Sequence, residues 1–213
     1  TREEVDPVRY LSNHSTGRMG VELARLARDL GASVTAVLGP IELATPVGVD
    51  RVDVVTAAEM RDAVRAASDG ADVVVMAAAV ADFRPAEPRA SKIKKGDTRR
   101  LVLELEPTDD VLAALDARHP PGEERPLLVG FAAETENVAG NARGKLLAKR
   151  LDLVVANPVP ETFGSATSRA TLVAPDGDEA LPHGTKRAVA AAILAFVARR
   201  MTARAPAAGG GAP

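Results

Sequence analysis

Short, wholly apolar runs alternate with amphipathic ones along this chain. Asp72–Ala79, DVVVMAAA, is continuous and apolar, the pattern of a strand buried on both faces of a parallel sheet. Leu127–Ala133 is a second such run and Leu153–Ala156 a third. Ser33–Leu38 is apolar and β-prone and is broken by Gly39-Pro40, which predicts another buried strand. Val52–Val55 and Ala170–Val173 predict shorter ones. Helical segments lie between them. Val21–Leu30 reads as a helix ended by Gly31. Thr56 stands as an N-cap before Ala57–Ala67, with Glu59 in the first turns. Val111–Arg118, Val138–Arg150 and Lys186–Arg200 complete the helices. The β-α-β-α order predicts an α/β fold with a doubly wound, Rossmann-like parallel sheet.

One interval breaks the rhythm. Phe83–Leu105 holds Pro85, Pro88, the cluster Lys92-Ile93-Lys94-Lys95-Gly96 and the alternating run Leu101–Leu105. It reads as a flap over about 84–105 with a strand returning from it, since long irregular excursions in compact domains are usually functional or disordered. Residues 1–202 are expected to form one domain. Ala203–Pro213 is Ala, Gly and Pro apart from Arg204, lacks a hydrophobic period and is expected to be disordered. The chain begins at Thr1 without Met, which reads as processed, truncated or cut from a longer polypeptide.

Composition then narrows the chemistry. Apolar residues make up 46% of 213, enough for a core, and with aromatics at 2% that core must be Ala, Val and Leu. A net charge of −2 leaves no electrostatic footprint for nucleic acid or anionic membrane. No run is long enough to span a bilayer and no signal peptide is seen, so a cytoplasmic setting is expected. The absence of Cys excludes disulfides, thiolate catalysis and Cys-ligated zinc.

Candidate chemistry sits where strands end, because ligands of open α/β sheets bind outside the carboxyl ends. Arg9–Gly20, RYLSNHSTGRMG, feeds a helix with Ser, Thr and Gly and so offers unpaired amides and a positive dipole end to an anion; an ordinary capping loop is the alternative. Asn13 adds an amide that can donate and accept. After the strongest strand comes Ala77–Pro85, whose small Ala78 and its neighbours let a ligand reach the main chain. Asp82 there either meets a ribose hydroxyl or a metal, or caps a turn. The flap lysines suit a polyphosphate or form a solvated face. Phe131, in Gly130–Thr135, stacks on a ligand or belongs to the core. Lys145 and Lys149 share a helix face at spacing i, i+4.

Four stretches in order, DPVRYLSNHSTGRMG at Asp6–Gly20, AAAVADFRP at Ala77–Pro85, KIKKG at Lys92–Gly96 and GFAAET at Gly130–Thr135, resemble the phosphopantothenate–cysteine ligase (phosphopantothenoylcysteine synthetase) family. That family is usually the C-terminal half of a bifunctional bacterial coenzyme A biosynthesis protein. The resemblance implies a CTP- and Mg²⁺- (or Mn²⁺-) dependent reaction. The carboxylate of 4′-phosphopantothenate is activated as an acyl-cytidylate, and L-cysteine resolves it to 4′-phosphopantothenoylcysteine and CMP. Carried over, Lys92, Lys145 and Lys149 would meet the triphosphate, Asp82 the ribose or metal, and Phe83 and Phe131 the nucleotide pocket, with Ala78 and Gly17 against the ligand. Asn13 would hold the acyl-cytidylate and its tetrahedral intermediate, and Arg9 would orient the loop or a substrate phosphate. The family also implies a homodimer, with a dimerising element near the flap, and fusion to or pairing with a flavin-dependent decarboxylase. The chain departs from the family in three ways. A strand and Gly-rich turn that precede Thr1 in the family are missing, as is the decarboxylase half. Glu106-Pro107-Thr108-Asp109-Asp110 replaces a basic residue and Asn-Pro before an Asp. Two rival readings are a nicotinamide- or flavin-dependent reductase on the same fold, against which no G-x-G-x-x-G is found, and a non-catalytic dimerising module.

Overall fold

A computed structural model describes residues 1–95, 100–120, 122–158 and 167–204. The chain opens with a hairpin, β1 (Arg2–Asp6) and β2 (Arg9–Ser12), then α1 (Arg18–Asp29), β3 (Thr35–Leu38), β4 (Asp50–Asp53), α2 (Ala57–Ala67) and β5 (Val73–Met76). The flap contributes β6 (Phe83–Pro85) and β7 (Leu105–Pro107). Next come α3 (Val111–Asp116), β8 (Leu127–Glu134), α4 (Val138–Ala148) and β9 (Leu153–Pro158). The chain continues through β10 (Thr167–Ser168), β11 (Thr171–Ala174), β12 (Gly177–Ala180), β13 (Gly184–Thr185) and the helix α5 (Lys186–Arg204).

The central sheet has the order β12-β11-β9-β8-β5. Strands β5, β8 and β9 are parallel, whereas β11 runs antiparallel to both β9 and β12. The sheet is thus mixed rather than all-parallel. A parallel step requires a crossover, usually a helix, and no helix lies between β9 and β11 among the described residues.

Alternation along the inner strands sorts their side chains to two faces. Leu128, Ala132, Val154, Ala156 and Val173 pack with Met60, Val64, Leu112, Leu115 and Leu146 from α2, α3 and α4. Leu127, Val129, Leu153, Val155 and Leu172 pack with Leu23 of α1 and Val189, Ala190, Ile193 and Val197 of α5. Helices on both faces agree with the expected α/β architecture.

Several expectations shift. Strands β3 and β4 form a separate parallel pair; β3 is at most half-buried and β4 is exposed, so the predicted buried strand at 33–38 is not one. Strand β5 is shorter than predicted and its Val73, Val74 and Val75 are half-buried, because β5 pairs with β8 on one side only. Between the facing edges of β3 and β5 lies an apolar slot of about 630 Å³, lined among others by Ala24, Val37, Val73, Val75 and Val197, with Thr1 at its rim. Of the alternating run 101–105, only Leu105 enters a strand, the one that pairs with β6. Gly96 and residues 97–99 of the flap lie outside the described residues. Helix α5 runs on to Arg204, whose guanidinium pairs with Asp152 at 2.6 Å; Ala203 and Arg204 are therefore helical rather than part of a disordered tail. Residues 205–213 lie outside the described residues.

Local chemistry explains the best-predicted element. Thr56 accepts from the Glu59 amide at 3.1 Å, and the Glu59 carboxylate accepts from Val55 and Thr56, closing a capping box around α2. The buried Glu3 carboxylate of β1 adds a bond from the Ala57 amide at 2.8 Å, tying the hairpin to α2.

Candidate active site

The loop after β5 is held on three sides. The Asn13 amide nitrogen donates to the carbonyls of Ala79 at 3.1 Å and Val80 at 3.0 Å. The Ala81 amide donates to the Thr1 hydroxyl at 3.0 Å. The Thr108 amide donates to the Asp82 carbonyl at 3.0 Å and its hydroxyl to the Ala81 carbonyl at 2.5 Å. Residues 77–80 leave strand geometry while the small Ala78 stays exposed, so main-chain groups line the surface there. Because both partners of Asn13 are acceptors, its nitrogen must face them. That leaves Oδ1, an acceptor, as the group available to a ligand. An Asn13 that donates to an acyl oxygen would first have to give up one of these bonds.

The loop before α1 is not an ordinary cap. Gly17 occupies the N-cap position with φ 74, and no side chain caps the helix. A Cβ at Gly17 would lie 2.9 Å from two carbons of Ile41, so the position has room only for glycine. With no acidic residue in its first turn and no side-chain cap, α1 presents uncapped amides at its positive end.

The lysines at the end of β8 form a second group. Lys145 donates to the Phe131 carbonyl at 2.6 Å. Burial pushes its ammonium below the ordinary lysine value and neighbouring Lys149 adds to this, while Asp110, Asp82 and Glu134 oppose it. Asp82 is therefore within electrostatic reach of Lys145. Lys149 forms an ion pair with Asp110, which also caps α3 by accepting from the Ala113 amide at 3.0 Å. The Asp110 carboxyl lies below its usual range: bonds from Lys149 and the Ala113 amide outweigh its burial. The Phe131 ring is half-buried and packs on the apolar cluster of β8, β9 and α5, so the residue joins the group through its carbonyl. Phe83 is exposed at 54% at the start of β6.

Arg9 reaches the base of the flap beside Lys92 in sequence. Arg9 pairs with Asp6 at 2.6 Å and donates to the Ile93 carbonyl at 2.6 Å, next to the exposed Lys92. Arg9 thus contacts the main chain of the flap through Ile93.

Asp6, Thr1, Thr108 and Asp110 escaped sequence reasoning as site residues. The Asp6-Pro7 turn was the one local signal among them. Among the described residues no three His, Cys, Asp or Glu side chains gather into a metal-binding group. Nor is any described helix long and apolar enough to cross a membrane.

Comparison with known proteins places this arrangement. Over 198 residues the chain is 46% identical to the coenzyme A biosynthesis bifunctional protein CoaBC of Vibrio vulnificus (strain YJ016), covering 91% of this chain and 49% of that protein. The chain spans about half the length of the curated relatives it matches. The crystal structure of the C-terminal domain of a CoaBC protein superposes with a TM-score of 0.79 at 37% identity, covering 95% of this chain and 92% of that one. A mutant of Cab2 in complex with phosphopantothenate-cysteine shares the fold at 17% identity, with a TM-score of 0.75 over 95% of this chain and 85% of its own. Residues 1–201 match the family described as DNA/pantothenate metabolism flavoprotein C-terminal domain, and the chain belongs to that family.

Proposed function

We propose that this chain ligates 4′-phosphopantothenate to L-cysteine at the expense of CTP, a step of coenzyme A biosynthesis. One observation carries the reading. A loop of small residues at the end of β5 is held by the Asn13 amide, and its Asp82 lies within electrostatic reach of a half-buried cation, Lys145. Such a loop suits the backbone reading of a base edge, and the cation beside it suits a phosphate chain. The match to coenzyme A biosynthesis proteins over nearly the whole chain supports the substrate class.

In the first half-reaction a carboxylate oxygen of phosphopantothenate bonds to the α-phosphorus of CTP, and the bond to the β-phosphate bridge breaks, releasing pyrophosphate. Lys145 and the flap lysine Lys92 balance the triphosphate charge. Lys149 joins them by exchanging Asp110 for a phosphate oxygen, and the uncapped amides after Gly17 receive an anionic group. Asp82 is a single exposed carboxylate. That donor set fits Mg²⁺, which binds through one or two carboxylates with phosphate oxygens and water completing the shell. The ion supplies charge neutralisation on the phosphates when bound.

In the second half-reaction the cysteine amine attacks the acyl carbon. A C–N bond forms, CMP leaves with the electrons of its C–O bond, and the amine loses a proton. With its nitrogen committed to Ala79 and Val80, Asn13 serves this step by accepting an N–H of the incoming amine at Oδ1 and by holding the loop in place.

The test is to incubate the protein with CTP, 4′-phosphopantothenate, L-cysteine and Mg²⁺, then follow pyrophosphate and the conjugate by mass spectrometry. Pyrophosphate release that requires phosphopantothenate, followed by cysteine-dependent conjugate, is the expected result. No phosphopantothenate-dependent pyrophosphate would overturn the proposal.

A further inference from the structure

We propose that Asp6 is a positioning residue for the lysine segment of the flap, acting through the main chain of Ile93. The Asp6 side chain is fully shielded from solvent and sits at the turn between β1 and β2. A buried carboxylate is tolerated only when its lone pairs are filled. Here they are filled by two different parts of the molecule. Oδ1 accepts the amides of Val8 and Arg9, each at 2.9 Å, and so closes the turn. Oδ2 accepts the Ile93 amide at 3.0 Å and the Arg9 guanidinium at 2.6 Å. The same guanidinium nitrogen donates to the Ile93 carbonyl at 2.6 Å. One acid–base pair therefore grips Ile93 by both its N–H and its C=O. Four residues earlier the Arg89 amide donates to the Val5 carbonyl at 2.9 Å, so the stretch from Arg89 to Ile93 is strapped to the end of β1.

Both sides of Ile93 carry a lysine, Lys92 and Lys94, and both are exposed. Two long cations on an irregular loop sample many positions, and placing them on an anion costs conformational entropy. A main chain fixed between them removes much of that cost before a ligand arrives. The hydrogen bonds from the Ile93 and Val8 amides and from Arg9 hold the Asp6 carboxyl down to about 2 against its burial, so the clamp stays charged at neutral pH. This inference rests on the proposal above that the flap lysine meets the triphosphate.

The two oxygens allow a clean separation of roles. In Asp6→Asn the remaining oxygen can still accept the turn amides. The new NH₂ group, however, faces the Ile93 N–H and the Arg9 guanidinium, both donors. The turn half of the clamp is kept and the flap half is lost. Arg9→Gln serves as the second variant, since it removes the grip on the Ile93 carbonyl without touching the bonds of Asp6 to the turn amides. Hydrogen exchange should quicken roughly tenfold or more in residues 89–95 of both variants, while Leu127–Glu134 of β8 keeps its protection. In the ligase assay KM for CTP should rise roughly tenfold in Asp6→Asn, with its cysteine-dependent step on preformed acyl-cytidylate unchanged. Unchanged exchange at 89–95 in both variants would overturn the clamp. Quickened exchange with unaltered KM and kcat would overturn its positioning role. A wild-type protein that releases no pyrophosphate overturns the ligase reading instead, and with it the catalytic half of this inference.

Discussion

Asn13 offers the sharpest test, because its structural and chemical roles have different sizes. Asn13→Ala removes two hydrogen bonds, to the carbonyls of Ala79 and Val80, at an exposed position. Each such bond contributes about 0.5–1.5 kcal/mol net, and water replaces them here, so the stability loss should be about 1–2 kcal/mol. For a domain of this size that corresponds to roughly 2–8 °C in Tm. Loss of a polar group at a reacting centre costs on the order of a hundredfold or more in rate. The second half-reaction should therefore fall far more than stability does. Activation depends on the lysines and should persist. The variant is expected to release about one pyrophosphate per active site by the mechanism above and to accumulate the acyl-cytidylate. Rapid quenching and mass spectrometry with cysteine present would detect it. Asn13→Asp sharpens the comparison. It keeps an acceptor but turns a negative oxygen toward two carbonyl oxygens, so it should lose more stability than the alanine variant while the loop is displaced. The reasoning fails if Asn13→Ala slows both half-reactions together, in proportion to its loss of stability, with no intermediate accumulating. Asn13 would then act only by holding the loop.

Three further outcomes are expected. Gly17→Ala combines a left-handed backbone with a Cβ 2.9 Å from Ile41, and should lower stability by about 1–2 kcal/mol or more and weaken nucleotide binding, read by thermal melts and CTP titration. Burial holds Lys145 below its ordinary value of 10.5, so the unfolded chain binds the proton more readily between the depressed and the ordinary value, and stability should rise with pH across that window. Lys145→Met should flatten that slope in urea melts while raising KM for CTP; a retained slope would refute the assignment. Asp6 gives a slope of the same sign in the acid range: its contribution is present above the ordinary 3.8 and is lost as pH falls toward about 2, so Asp6→Asn should flatten the acid arm of the stability curve over that range.

What was legible in the sequence was what neighbours along the chain decide. The capping box of Thr56 and Glu59 spans three residues, and α2 begins where those residues place it. Strands β8 and β9 were visible because each carries enough consecutive apolar residues to be buried on both faces. The four ordered motifs located the loop after β5, the loop before α1 and the base of the flap. Helix α5 was read four residues short because Met201–Arg204 carry little apolar pattern. That last turn docks through the pair between Arg204 and Asp152, 52 positions away.

By itself, then, the sequence determined the α/β class, the starts of four of the five helices described and the inner strands, and it singled out candidate residues for the site. Only the tertiary structure decided which of them touch. It turned β11 antiparallel, left β3 and β5 facing each other across a slot, and aimed the nitrogen of Asn13 at two carbonyls 66 and 67 positions distant. It also made Asp6, an ordinary turn residue to the eye, the buried anchor of a segment 87 positions away. The reason is physical. Caps, turns and buried apolar runs are set by contacts within a few residues, which a pattern can carry. Strand partners and buried charges are set by which distant groups arrive to fill open hydrogen bonds, and that depends on the assembled fold.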